Sequence, residues 1–225
     1  MDQNQLNSIS SYTSKLLRKN FGKGPQSCYT ILNKFYLVSY IQGFISPMEE
    51  VLMEQGQRNQ VELARNVIIN HLLEELRGVV QVSLDCEIEE SFHDWNLPNN
   101  SGMIMFKMSD ELESVRSEIK FDFNKFEEEV ARISALVQKV PDQINVFPMS
   151  SSMVLVERKG ILIPIEKALI DKGFGEELRL TKDEFEKRYF HHYGKFDELL
   201  PSRVKDIFID WNFKNDKSLM TFVLD

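Results

Sequence analysis

The spacing of apolar residues predicts helices and strands that follow one another in the same order in both halves of the chain. Apolar residues recur at helical spacing in some segments and form short strand-like runs in others. In the first half the order is helix, two strands, two helices and two strands, at residues 3–20, 26–32, 35–44, 47–54, 59–84, 86–95 and 102–107. This order predicts an α+β fold in which helices cover one face of a small antiparallel sheet.

Two helices of this pattern are predicted in more detail. The long helix of the first half is expected to bury an apolar side formed by Val61, Ala64, Ile68, Leu72, Leu76 and Val79. In the second half, Thr181-Lys182-Asp183-Glu184 has the sequence of a capping box. It predicts that the corresponding helix of that half begins there.

The two halves also share residues at nearly constant spacing. The stretch 37–49 recurs as 154–166, 117 positions later, and a second match lies 116 positions apart. The shared positions are Gly43 and Gly160, Pro47 and Pro164, Glu49 and Glu166, and the tripeptides Asp94-Trp95-Asn96 and Asp210-Trp211-Asn212. Two matches at nearly the same spacing indicate that the chain is a tandem duplication.

The duplication predicts the domain organisation. We expect two copies of an α-β-β-α-α-β-β unit, a first repeat at 1–108 and a diverged second repeat at 123–225, joined by a helical connector at 109–122. Copies of one fold often associate through a self-complementary surface, so we expect an intrachain pseudo-dimer related by a pseudo-two-fold axis. A stable monomer formed by residues 1–108 alone would contradict that expectation. Association of whole chains into a homo-oligomer also stays open.

Charge and composition narrow the function classes. The net charge is -8 and 42% of the residues are hydrophobic, which indicates a folded protein without the clustered cations that bind nucleic acid. No apolar run approaches the roughly 20 residues of a membrane-spanning helix, so we expect no direct membrane insertion. Residues 1–5 lack the basic and apolar regions of a signal peptide, and two cysteines without CxxC spacing are typical of reduced core residues, so we expect a cytoplasmic protein.

The loop Gly22-Lys23-Gly24-Pro25 is the first candidate ligand site. Glycines expose backbone N–H groups and Lys23 adds positive charge, a combination that suits a small anion. The loop lacks the spacing of a nucleotide-binding P-loop. A helix stop followed by a tight turn explains the same residues, and it is the more economical interpretation.

Ser46-Pro47-Met48-Glu49 is the second candidate. Free N–H groups at a helix N-terminus bind anions, which makes Ser46 a candidate ligand-binding residue. The same four residues have the pattern of a capping box, in which Ser46 and Glu49 occupy those N–H groups themselves. Plain capping is therefore the favoured interpretation.

The histidines and cysteines give no catalytic set, metal site or cofactor motif at local spacing. His93 lies beside Asp94 and several glutamates, but a zinc site needs three or four converging N or S ligands. His191 and His192 are adjacent on a predicted helix and point about 100 degrees apart, so they cannot chelate one ion together. We therefore predict no catalytic residues, no metal and no cofactor.

Residues 10–108 resemble the MpsC-type family, which is named after a protein of a sodium-translocating, membrane-potential-generating system. The resemblance covers Gly22-Lys23-Gly24-Pro25 after the opening helix, the strand that leads to residues 43–49, Leu72-Leu73-Glu74-Glu75-Leu76-Arg77, Cys86 and His93-Asp94. It implies a small α+β protein linked to a membrane module for cation-coupled or inorganic-carbon uptake.

The second half departs from this pattern. It keeps Gly160, Pro164, Glu166 and Asp210, but Val140-Pro141-Asp142 stands at the glycine loop and Ile163 replaces the capping serine. The resemblance therefore implies that any binding role of the loop is lost in the second copy.

These observations predict a non-enzymatic cytoplasmic interaction protein that is accessory to a membrane uptake system. Its expected partner is a membrane-associated protein. The alternative is a sensor that binds a small anion or a nucleotide at Gly22, Lys23, Gly24 and Ser46. An enzyme is the third class, and no local residue set supports it.

Overall fold

The computed structural model describes residues 3–112 and 119–225. Contacts between residues divide the chain into two compact units, residues 1–115 and 116–225. The first unit contains α1 Gln3–Phe21, β1 Ser27–Asn33, β2 Tyr36–Gln42, α2 Pro47–Glu54, α3 Arg58–Leu84, β3 Ile88–Asn96 and β4 Ser101–Met108. The second contains α4 Phe123–Val137, β5 Gln143–Ser150, β6 Met153–Lys159, α5 Pro164–Asp171, α6 Gly175–Tyr193, α7 Phe196–Leu199, β7 Val204–Asn212 and β8 Lys217–Leu224.

Each unit forms one four-stranded antiparallel sheet. The strand orders are β1-β2-β4-β3 and β5-β6-β8-β7, so the order in the second unit reproduces that in the first. The predicted α+β fold and its duplication are confirmed. The predicted connector lies partly on residues 113–118, outside the described residues, and the flanking residues 109–112 and 119–122 are in neither helix nor strand.

Helices cover one face of each sheet and form its hydrophobic core. In the first unit Leu37 and Phe106 are cross-strand partners on this face, and α1 and α3 contribute Ile9, Leu17 and Leu72 to the same core. The opposite face is also apolar and buried, as at the cross-strand partners Val38 and Met105. Strands that are buried on both faces show continuous apolar runs instead of alternation.

The buried side of α3 differs from the prediction. Val61, Leu72 and Leu76 are buried, but Ala64 is exposed and Ile68 and Val79 are only partly buried. The buried positions beside them are Arg65, Ile69 and Val80, one residue further along each time. The apolar pattern missed the buried side by one residue at these positions. It counts only apolar residues, so it did not place the charged Arg65 on the buried side.

The predicted start of α6 was wrong. The helix begins at Gly175, six residues before Thr181, and runs to Tyr193. The Thr181 hydroxyl donates a hydrogen bond to the Glu177 carbonyl one turn earlier, as threonine does inside a helix. Gly175 corresponds to Arg58, the first residue of α3, so the duplication itself indicates the correct start.

Candidate functional site

The N-terminus of α2 carries the predicted capping box. The Glu49 carboxylate accepts hydrogen bonds from the Ser46 backbone N–H and from the Ser46 hydroxyl, both at 2.8 Å. The Ser46 hydroxyl in turn accepts a hydrogen bond of 3.4 Å from the Glu49 backbone N–H. Ser46 is buried, and its polar groups are used within the cap.

Glu49 also forms a buried ion pair with Arg65 of α3. Nη2 of Arg65 lies 2.5 Å from Oε1 and 2.6 Å from Oε2 of Glu49. Arg65 is only 1% exposed. Burial lowers the pKa of the guanidinium, and the Glu49 charge opposes that shift.

Three aromatic rings surround the Arg65 guanidinium. Its Cζ lies 4.3, 4.1 and 4.7 Å from the ring centroids of Phe21, Phe44 and Trp95. Nε and Nη1 are buried and have no hydrogen-bond acceptor within residues 3–112 and 119–225. The aromatic faces stabilise the cation in place of further acceptors, because a ring attracts a guanidinium that lies over it.

The loop at residues 22–25 follows Phe21 directly. Gly22 has a φ of +73°, and its N–H donates to the Arg18 carbonyl, so it ends α1 in the predicted left-handed conformation. The Lys23 ammonium lies 3.6 Å from the Glu50 carboxylate on α2. A Cβ at Gly24 would lie 2.8 Å from Nε of Arg18, so the Arg18 guanidinium lies against this glycine.

The four predicted ligand residues, Gly22, Lys23, Gly24 and Ser46, therefore lie near the Glu49–Arg65 ion pair. The loop continues from Phe21, which contacts Arg65, and Ser46 caps the helix that carries Glu49. Lys23 and Ser46 both bind carboxylates of the protein itself. At this site α1, α2 and α3 pack together around the buried ion pair of Glu49 and Arg65.

Sequence reasoning missed Arg65 as the central residue of this region. Its signal was present in the duplication, since Lys182 occupies the equivalent position 117 residues later. A basic residue retained in both copies on the apolar side of a helix indicates a buried ion pair. Glu49 and Glu166 were identified as a repeated position, but only as caps.

The second unit repeats the ion pair with other neighbours. The Lys182 ammonium lies 2.7 Å from Glu166 of α5 and 3.1 Å from Glu186 one turn further along α6. It also donates to the side-chain carbonyl of Gln138, the position that corresponds to Phe21. Glu166 still accepts from the Ile163 N–H at 2.9 Å, so half of the capping box survives without the serine.

A second buried ion pair lies beside it. Arg158 of β6 is 0% exposed and contacts Glu186 at 2.6 Å. It also donates to the hydroxyls of Ser218 and Ser134, at 2.9 and 3.2 Å. Burial raises the pKa of Glu186, but Arg158 and Lys182 lower it more, so that it lies below its ordinary value.

One loop contact is the same in both units. Oδ1 of Asn100 accepts from the backbone N–H groups of Phe44 and Ile45, at 2.8 and 3.0 Å. Oδ1 of Asp216 accepts from those of Ile161 and Leu162, at 2.7 and 2.8 Å. We call this pair of hydrogen bonds to one side-chain oxygen the clamp. It fixes the backbone that leads into α2 and α5, and so positions the capping residues Glu49 and Glu166.

The nucleophile and metal candidates have ordinary environments. Burial raises the pKa of the Cys28 thiol to about 11, so the thiol stays protonated at neutral pH. Nε2 of His93 lies 3.1 Å from the Asn70 side-chain oxygen. Burial also lowers the pKa of His191. Within the described residues, no group of three or more His, Cys, Asp or Glu side chains converges to hold a metal ion.

Several exposed apolar side chains lie on α2 and α3. Met48 and Val51 are 71% and 57% exposed and lie three residues apart on α2. Leu63 and Val67 are 46% and 72% exposed and lie four residues apart on α3. Residues at these spacings share one face of a helix, so each helix presents an apolar pair to solvent.

The sequence comparisons give the family. The model of a family described as MpsC, Na+-translocating membrane potential-generating system, matches residues 3–110 and again residues 113–225. No curated protein and no solved structure matches the chain. None of the described helices is both long and apolar enough to cross a membrane. The two matches cover nearly the whole chain in tandem, and the chain belongs to the MpsC family.

Proposed function

We propose that this chain is a non-enzymatic interaction protein that binds a membrane-associated protein through α2 and α3 of its first repeat. The observation that carries this proposal is the exposed apolar set Met48, Val51, Leu63 and Val67. Apolar groups on a water-exposed helix face favour burial against a partner.

The equivalent surface of the second repeat is less apolar. Ala168 and Glu184 stand where the first repeat has Val51 and Val67. Ile165 and Leu180, the equivalents of Met48 and Leu63, remain apolar, and Ile165 is 62% exposed. This difference supports the first repeat as the binding surface.

The family description supports the choice of partner. It names a Na+-translocating, membrane-potential-generating system. We take the partner to be a component of a membrane module for cation or inorganic-carbon uptake, and this chain to be its cytoplasmic accessory. The internally paired charges around Glu49 and Arg65 support a structural role for that region, since their hydrogen bonds end within the protein.

Capture of the partner tests the proposal with a matched pair of variants. Immobilised wild-type chain and Ile165→Glu are expected to retain the same membrane-extract protein, whereas Met48→Glu combined with Val67→Glu is expected to lose it. All these positions are exposed, so the substitutions should leave the fold intact. Equal retention by all three chains, or retention by none, would refute the proposed surface.

A second candidate function is binding of a small anion or a nucleotide by the loop at Gly22, Lys23 and Gly24. The observation that favours it is the Arg18 guanidinium, which lies against Gly24 and adds a second cation beside Lys23. An anion would compete with Glu50, whose contact with Lys23 is long and solvent-exposed.

Thermal-shift measurements with bicarbonate, phosphate and nucleotides test this second candidate. A ligand that stabilises the wild-type chain should lose its effect with Lys23→Ala and keep it with Lys139→Ala. Lys139 pairs with Asp142 at 3.1 Å and stands in the second repeat 116 positions after Lys23, which makes it a suitable control. The absence of any shift with wild-type chain would exclude the loop as a site.

A further inference from the structure

The two sheets have four edge strands among the described residues: β1 and β3 in the first repeat, β5 and β7 in the second. An edge strand directs every second backbone N–H and C=O away from its neighbour. Such a row of groups can pair with a strand of another molecule. Proteins commonly prevent this with bulges, prolines or charged side chains at the edge.

Three of the four edge strands carry such protection. In β3 the pairing is interrupted between Ile88 and Glu90, and in β7 between Val204 and Asp206. In β5 the pairing is interrupted after Pro148, which also lacks an N–H group. Interrupted pairing twists the edge and prevents a regular ladder with a new strand.

The remaining edge strand, β1, has none of these features. Its seven residues, Ser27 to Asn33, include no proline and no charged side chain. All seven pair with β2 in one uninterrupted register, from Ser27 opposite Gln42 to Asn33 opposite Tyr36. The equivalent strand β5 carries protection that β1 lacks, so within the described residues an unprotected edge distinguishes the first repeat from the second.

We propose that β1 pairs antiparallel with β1 of a second copy of this chain, which joins the sheets of two first repeats across a two-fold axis. An antiparallel pairing of identical strands is self-complementary. The register that pairs all seven residues places the axis at Thr30, the middle of the strand. Any shifted register pairs fewer residues and leaves more backbone groups unpaired.

Side chains support this register. With Thr30 at the axis, Tyr29 lies opposite Ile31 of the partner chain on one face of the joined sheet. Aromatic residues and β-branched residues form favourable cross-strand pairs. Tyr29 is 38% exposed, and its ring contacts Tyr40 on β2, so it is positioned to pack across the new edge. β1 carries no charged side chain, so its own residues add no like-charge repulsion across the two-fold axis.

Sedimentation equilibrium of the full chain tests the proposal. The wild-type chain is expected to have twice the monomer mass at micromolar concentration, and Tyr29→Lys the monomer mass, because a lysine at a strand edge opposes pairing. Asn145→Lys is the matched control: Asn145 occupies the position of Tyr29 in β5, is exposed, and should leave the dimer unchanged. Equal far-ultraviolet circular dichroism of the three chains verifies folding.

Disulfide trapping tests the register independently. Residues 29 and 31 of opposite chains are close enough for a disulfide in the proposed pairing. Oxidation of a mixture of Tyr29→Cys and Ile31→Cys chains should give a covalent dimer that neither variant, nor the wild-type chain, forms alone. A monomeric wild-type chain, a dimer that survives Tyr29→Lys, or no covalent dimer from the mixture would each overturn the proposal.

Discussion

The cores of the two repeats differ at two equivalent buried positions, which are apolar in the first repeat and charged in the second. Ile41 of β2 and Ile69 of α3 are apolar residues in the first core, whereas their equivalents in the second core are Arg158 and Glu186. Both positions are almost fully buried in both repeats. The strand order around them is the same. The difference shows that this fold tolerates either an apolar contact or an ion pair at one site.

The second repeat supports its buried charges with further substitutions. Ser134 and Ser218, whose hydroxyls accept hydrogen bonds from Arg158, stand where the first repeat has Leu17 and Gly102. A buried ion pair is stable only when its remaining hydrogen-bonding groups have partners. The two charges and the two serines therefore depend on one another. Replacing one of them alone should lower the free energy of unfolding more than replacing them together.

The largest effect is expected from Glu186→Ile alone. This variant removes the carboxylate and leaves the buried guanidinium of Arg158 with only the two serines. The expected loss in the free energy of unfolding is about 3–5 kcal/mol, because an uncompensated charge stays buried. Urea unfolding followed by tryptophan fluorescence measures it. Ile69→Val in the first repeat is a conservative control that should cost about 0.5–1.5 kcal/mol.

A smaller effect is expected from Arg65→Lys. Lysine keeps the charge beside Glu49 but loses the planar contact with Phe21, Phe44 and Trp95. We expect a loss of about 1–2 kcal/mol in the free energy of unfolding, from the cation–π contribution. In the second repeat Gln138 and Ile161 replace Phe21 and Phe44. A lysine therefore fits at position 182, the equivalent of Arg65, because it needs no planar contact with those two rings and donates to Gln138 instead. Full stability of Arg65→Lys in urea unfolding would contradict this account.

Acid should destabilise the second repeat before the first. The pKa of Glu186 is lower in the folded protein than its ordinary value, so the folded state binds fewer protons than the unfolded state. Its contribution to stability is complete above the unfolded-state pKa, at about 4.3, and is lost as the pH falls through the folded-state value. Ile69, at the equivalent position, does not titrate.

Fluorotryptophan NMR can follow this acid transition, because each repeat contains one tryptophan, Trp95 or Trp211. The Trp211 signal is expected to change at higher pH than the Trp95 signal. Simultaneous changes, or an earlier change at Trp95, would contradict the predicted order.

The smallest effect is expected from Asp216→Asn. Burial raises the pKa of Asp216, but the N–H groups of Leu162 and Ile161 and the Lys167 ammonium lower it below its ordinary value. Asparagine at this position copies Asn100 of the first repeat and keeps the clamp without a charge. The variant should therefore be nearly as stable as wild type at pH 7 and less sensitive to acid. An unchanged acid transition in the same NMR experiment would show that Asp216 contributes nothing to it.

Hydrophobic periodicity predicted the strands and most of the helices because their apolar runs are bounded by clear turn residues. The hairpin of β1 and β2, the cap at Ser46 and the helix stop at Gly22 are examples. Periodicity failed where polar residues are buried, as at Arg65. It also failed at Thr181, where a capping pattern occurs inside a helix.

The candidate site was less predictable than the fold. Lys23, Gly24 and Ser46 were selected for local chemistry, whereas the structure shows that Lys23 and Ser46 contact carboxylates from α2. The central contact joins Glu49 to Arg65, 16 residues away, and Trp95 comes from a different element again. Spacing along the chain cannot show such contacts, although alignment of the two repeats identifies the retained charge.

The most direct test of the comparison is a transplant of the first core into the second. The triple variant Ser134→Leu, Arg158→Ile and Glu186→Ile gives the second repeat the residues of Leu17, Ile41 and Ile69. Urea unfolding should give a free energy of unfolding equal to that of wild type within about 1 kcal/mol, or higher, since replacing a whole buried ion pair by packed apolar residues is often neutral or stabilising. A triple variant as unstable as Glu186→Ile alone would contradict the equivalence of the two cores.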